Sequence, residues 1–72
     1  MTNERRLRAP NEILRTALEN EIQARDFYAQ LASECSVDFV KELLQKLQNE
    51  ESKHVYMIQE MIGKLDSGKS LT

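Results

Sequence analysis

Two stretches of the chain carry mostly apolar residues at alternating spacings of four and three. The first is Leu14, Ala17, Glu21, Ala24, Tyr28, Leu31 and Cys35; the second is Val40, Leu44, Leu47, Glu51, His54, Ile58, Met61 and Leu65. Positions so spaced share one face of an α-helix, so each stretch predicts an amphipathic helix with a buried seam. Helix one is expected over 10–35 and helix two over 37–65. Pro10 suits a first helical turn, where its missing N–H is no loss, and Asn11 is a candidate N-cap. Ser36 is the candidate N-cap of helix two, Asp38 brings negative charge to its first turn, and Gly63 is a stop signal that the apolar Leu65 overrules. Ile13, Leu18, Ile22, Phe27 and Ala32 widen the apolar face of helix one beyond a two-stranded seam, as a bundle requires.

A short turn near Ser36 makes the helices antiparallel neighbours, which gives an all-α, two-helix hairpin as the fold class. The ends read as flexible: a polar lead over 1–9, with Arg5, Arg6 and Arg8, and a tail over 66–72, with Ser67, Gly68, Lys69 and Ser70. Two helices from 72 residues cannot cover both faces of their own seams. A homodimer, or a multiple of dimers, in which two hairpins form a four-helix bundle is therefore expected.

Composition removes several classes of function. A net charge of −2 and an isoelectric point near 5.3 leave no basic footprint for nucleic acid. No apolar run approaches a membrane span, and no charged segment followed by an apolar stretch opens the chain, so a cytoplasmic protein is expected. One cysteine supports neither an internal disulfide nor a four-thiolate metal site, and Cys35 at the turn reads as a small packing residue.

The chemistry lies in the polar exceptions to the seams: Glu21 in helix one, Glu51 and His54 in helix two. An unpaired charge in a core costs several kcal/mol by order of magnitude, so these three residues need a common partner. Glu21 lies fifteen residues before Ser36 and Glu51 fifteen after it, which puts them at one level of the hairpin. His54 follows one turn further on the same face. Two carboxylates and an imidazole are a ligand set for iron, with manganese and zinc meeting much of the same logic. Glu50 is the rival ligand, four residues before His54, but seam phase favours Glu51. Glu19 faces well away from the seam.

These residues carry a family resemblance. Glu21-Ile22-Gln23-Ala24-Arg25-Asp26-Phe27-Tyr28, followed thirty residues after its first glutamate by Glu51-x-x-His54, resembles the helix pair of the rubrerythrin and ferritin-like di-iron superfamily. The likeness covers roughly residues 14–62 and is greatest to the encapsulated-ferritin group, whose members are a single hairpin per chain. It implies Glu21, Glu51 and His54 as ligands of a di-iron centre shared between two chains, with Tyr28 as a hydrogen-bonding aromatic beside the metal. Such centres take a glutamate from each of two helices and a Glu-x-x-His from each of the other two; this chain holds one of each, so two chains complete the set. The implied activity is that of a ferroxidase, oxidising Fe(II) to Fe(III), with an encapsulating shell protein as a further partner. Against the pattern, the single cysteine excludes the rubredoxin-like iron site of many rubrerythrins, and encapsulated ferritins extend further after helix two. The alternative reading is a metal-free helical dimer, a structural or interaction module whose polar seam residues fix register or whose Arg5, Arg6 and Arg8 dock on a partner.

Overall fold

The computed structural model describes residues 7–68, which form two helices: α1, Pro10–Ser33, and α2, Asp38–Ser67. Pro10 begins α1, as its fixed φ and missing N–H allow, but the N-cap is the extended Ala9 with no side-chain cap. Asn11 lies one residue inside the helix and does not cap it. Glu12 supplies negative charge to the first turn. The helix stops at Ser33, two residues short of the expected end, because the Glu34 N–H is shared between the Gln30 and Leu31 carbonyls.

The chain reverses over 34–37. Val37, not Ser36, is the N-cap of α2: its extended backbone offers a carbonyl to the N–H groups of Val40 and Lys41, and no side chain caps the turn. At the other end α2 passes through Gly63 and runs to Ser67, where Gly68 closes it with φ 75°. That left-handed conformation suits a residue without a Cβ. Gly63 has no such role, since a Cβ built on it would meet nothing within 4 Å. The Arg5 and Arg6 part of the lead and residues 69–72 of the tail lie outside the described residues.

The helices pack against each other as an antiparallel hairpin. Only Ala32, Val55 and Ile62 are buried among the described residues. On α2 the face turned to α1 runs through Leu44, Glu51, Val55, Ile58 and Ile62, which are buried or half-buried. Three expected seam positions do not belong to it: Val40, His54 and Met61 are exposed. Val40 is in the first turn of α2, beside the chain reversal; for His54 and Met61 the cause is the helical period. A strict alternation of four and three averages 3.5 residues per turn against 3.6 for a straight helix, so it drifts by about 20° per heptad. Over 40–65 the drift carries His54 and Met61 off the inter-helix face, and Val55 and Ile62 take their places.

Met61 joins other exposed apolar residues in a second apolar surface. On α2 it carries Leu43, Met57 and Met61, and on α1 Ile13 and Phe27, each between 46% and 63% exposed. At about 100° per residue, all lie some 80–120° from Glu21 or Glu51, in the same angular sense on both helices. Because the helices run antiparallel, that sense carries both sets to one side of the hairpin.

Candidate metal centre

Glu21 is placed by the middle of α1 and the Glu51–His54 pair by the middle of α2, where two uninterrupted helices hold the backbone. One ligand atom from each of the three lies within 4.8 Å of the other two. His54 Nδ1 is 3.0 Å from Glu21 Oε1 across the hairpin and 3.4 Å from Glu51 Oε1 on its own helix. The side chains of Glu51 and Glu21 are 19% and 29% exposed and that of His54 48%, so the group is walled by the two helices and open on the side bearing the second apolar surface.

The electrostatics show three groups competing for too few protons. Hydrogen bonds from Glu51 and His54 hold the Glu21 carboxyl below its ordinary value. The hydrogen bond to Glu21 pushes Glu51 up, helped by partial burial and the neighbouring negative charge. His54 is raised chiefly by its hydrogen bond to Glu21 and further by the charge of both carboxylates. Without metal the shifts favour a charged Glu21 and a cationic His54 and make Glu51 the carboxyl that takes up a proton more readily. A divalent cation replaces those protons, and two carboxylates with an imidazole are the donors that iron, manganese or zinc takes. The donor set therefore fits a metal.

The neighbours expected from sequence fall outside the group. Glu19 is exposed on another face of α1. Glu50, 59% exposed, pairs at 3.7 Å with Lys53 and not with the ligand atoms. Tyr28 is half-buried, but it lies seven residues beyond Glu21, about 10 Å along the axis, and packs against Phe27 with ring centroids 5.9 Å apart. It is too far along α1 to orient the ligands of the same chain. Cys35 is half-buried at the turn, where its Sγ–H donates to the Val37 carbonyl at 3.6 Å, a packing role.

A helical hairpin with a Glu, Glu, His group at mid-length defines a ferritin-like chain with a carboxylate-rich candidate metal site. The chain belongs to the rubrerythrin family, whose model matches residues 12–72. Members of this family usually bind iron, and the Glu21, Glu51 and His54 group is where this chain has the ligands for it. No curated protein and no solved structure gives a significant match. Among the described residues no helix is long and apolar enough to cross a membrane.

Proposed function

We propose that two copies of this hairpin stack through their second apolar surfaces and share a di-iron centre, at which Fe(II) is oxidised to Fe(III). The observation that carries this reading is the convergence of Glu21, Glu51 and His54 within 4.8 Å on the open side of the hairpin. A single chain brings one glutamate and one Glu-x-x-His pair, half of what a ferritin-like di-metal centre takes. Stacking a second copy supplies the other half and covers the apolar residues that one hairpin leaves in water.

In this reading Fe(II) is the substrate. Two Fe(II) ions give up one electron each, and dioxygen accepts the pair with two protons to leave hydrogen peroxide. The residues of the chain act on charge and position. Glu21 and Glu51, with the same residues of the partner, place four negative charges about the substrate and favour the ferric product over the ferrous ion. His54 presents Nδ1–H toward the carboxylates; once Fe(II) takes the place of that proton on Nδ1, the remaining ring proton is on Nε2. A proton held by Glu51 or His54 leaves as Fe(II) enters. A dimer encloses no space for mineral, so storage of the ferric product would need an enclosing shell protein.

The test is anaerobic Fe(II) titration of the metal-free protein, reading iron per chain and particle mass, followed by admission of air. Saturation at one iron per chain in a dimer or a multiple of it is expected, with Fe(III) absorbance rising faster than in buffer and no such rise in Glu51→Ala. A dimer that ignores iron would sink the proposal.

A further inference from the structure

Two residues of the open apolar face are methionines, and they differ from the rest of that face in being chemically reactive. Leu43, Ile13 and Phe27 offer only area, whereas Met57 and Met61 offer area and a thioether sulfur that accepts an oxygen atom from peroxide. Met57 is 63% exposed and Met61 46%. Both lie on the side toward which the ligand group is open.

Their places along α2 separate them. Met57 follows His54 by three residues, so the two are neighbours on the helix surface, with Cβ atoms about 5–6 Å apart. Met61 follows His54 by seven residues, about 10 Å along the axis. The remaining sulfur among the described residues, that of Cys35, is half-buried at the turn, about 21 Å along the hairpin from Glu21. Met57 therefore carries the sulfur nearest to the group. It borders the open side, by which a small oxidant leaves.

We propose that Met57 senses the oxidant made at the shared centre: peroxide transfers one oxygen atom to the Met57 sulfur, and the resulting sulfoxide parts the two hairpins. The proposal rests on the function proposed above, which supplies both the peroxide and the apolar contact between copies. The transfer balances without a further reactant. The O–O bond breaks and an S–O bond forms; sulfur loses the electron pair that peroxide gains, the sulfoxide keeps one oxygen, and water carries off the other with both protons. What changes is polarity. A thioether suits an apolar layer, but a sulfoxide is polar, and Leu43, Met61, Ile13 and Phe27 have no side-chain donor to meet its oxygen. Association weakens, each hairpin is left with one glutamate and one Glu-x-x-His pair, and iron oxidation stops. Enzymatic reduction of the sulfoxide reverses the change. The centre is thus shut down by accumulation of its own product and is recoverable afterwards.

Two measurements test this. In the first, Met61→Leu leaves Met57 as the one thioether on the face, and the dimer loaded with Zn(II), which is redox-silent, is treated with hydrogen peroxide. Sedimentation equilibrium should show association weakened at least about tenfold once Met57 is sulfoxide, with helix content by circular dichroism unchanged. Methionine sulfoxide reductase should restore the dimer. Adding Met57→Leu, which keeps the volume without the sulfur, should make association indifferent to peroxide. In the second, the parent oxidises Fe(II) in air with catalase present to remove free peroxide. Fragmentation of the tryptic peptide His54–Lys64 distinguishes its two methionines. Met57 should be oxidised at least about tenfold faster than Met61, because it is held beside the source, and Glu51→Ala should lose that preference. Complete sulfoxidation of Met57 with association unchanged overturns the switch and leaves the shared centre standing. Iron oxidised in air with Met57 no more altered than Met61 overturns its link to the product, again with the shared centre standing. A protein that stays monomeric, or a dimer that ignores iron, overturns the proposed function and this inference with it.

Discussion

His54 Nδ1 stands 3.0 Å from Glu21 Oε1, although thirty-three residues of chain separate them. The contact joins the two helices at mid-length and uses the atoms that a metal would take. Replacing either residue therefore removes a ligand and an inter-helix tie at once, and the two effects separate in melts with and without metal.

In thermal melts, saturating Fe(II) under anaerobic conditions, or Zn(II), should raise the midpoint of the parent, by linkage worth about 2.7 kcal/mol at a hundredfold excess over Kd. Glu51→Ala and His54→Ala should lose that rise, whereas Glu19→Ala should keep it. Equal loss in all three would remove the assignment of Glu51 over its neighbours.

Metal-free stability should fall as pH rises past the ordinary values of Glu51 and His54 and through their raised ones. Glu51 is raised above its ordinary 4.5 and His54 above its ordinary 6.5, so each contributes fully below those values and loses its contribution as pH climbs through the folded value. Glu21, lowered from 4.5, acts the other way: its contribution is present above that value and is lost only on acidification through its folded value. Metal affinity should rise over the same alkaline interval, because binding displaces the protons of Glu51 and His54. Melts and Zn(II) titrations in buffers of matched ionic strength check both signs. Parallel trends would contradict the proton assignment.

Replacing Glu21, Glu51 and His54 together by leucine should stabilise the metal-free dimer by about 1–4 kcal/mol, since apolar residues of similar size replace polar groups crowded at an interface. Chemical denaturation at fixed protein concentration gives the number. A marked loss of stability would mean that the group does not face an enclosed region.

Met57→Glu and Met61→Glu each put a charge on the open apolar face and should weaken self-association at least about tenfold, or roughly 1.4 kcal/mol. Tyr56 is equally exposed but is turned about 100° from Met57 and about 140° from Met61 around α2, so Tyr56→Glu should leave the mass unchanged. Sedimentation equilibrium of the three variants distinguishes a one-sided interface from general stickiness.

The two glycines of α2 should respond with opposite signs. Gly63→Ala adds a methyl group that meets nothing within 4 Å and should stabilise by about 0.5–1 kcal/mol. Gly68→Ala forces a Cβ onto a residue with φ 75° and should destabilise by about 1 kcal/mol.

Much of this architecture is legible in the sequence because it depends on period and count. The spacing of apolar residues specifies two helices, and the equal distances of Glu21 and Glu51 from Ser36 bring them to one level. The caps are less legible: Asn11 and Ser36 have the right chemistry, yet Ala9 and Val37 occupy the cap positions, each with an extended backbone and no side-chain hydrogen bond. The phase of α2 is hidden for a different reason. A seam read at 3.5 residues per turn merges two faces, one turned to α1 through Val55 and Ile62 and one turned outward through His54 and Met61. Only the straight helix separates them, and the separation shows that the hairpin carries a second, exposed apolar surface.

The mid-length position of the ligand group also bears on how an ion would leave. Helices fray from their ends, where opening costs least, and the central turns open last. An ion held by Glu21, Glu51 and His54 is about 20 Å from the nearest helix end on α2, out of reach of such fraying. In the proposed dimer its residence time would be governed by sideways parting of the two hairpins, so an agent that wedges the apolar faces apart is expected to set the metal free with both helices intact.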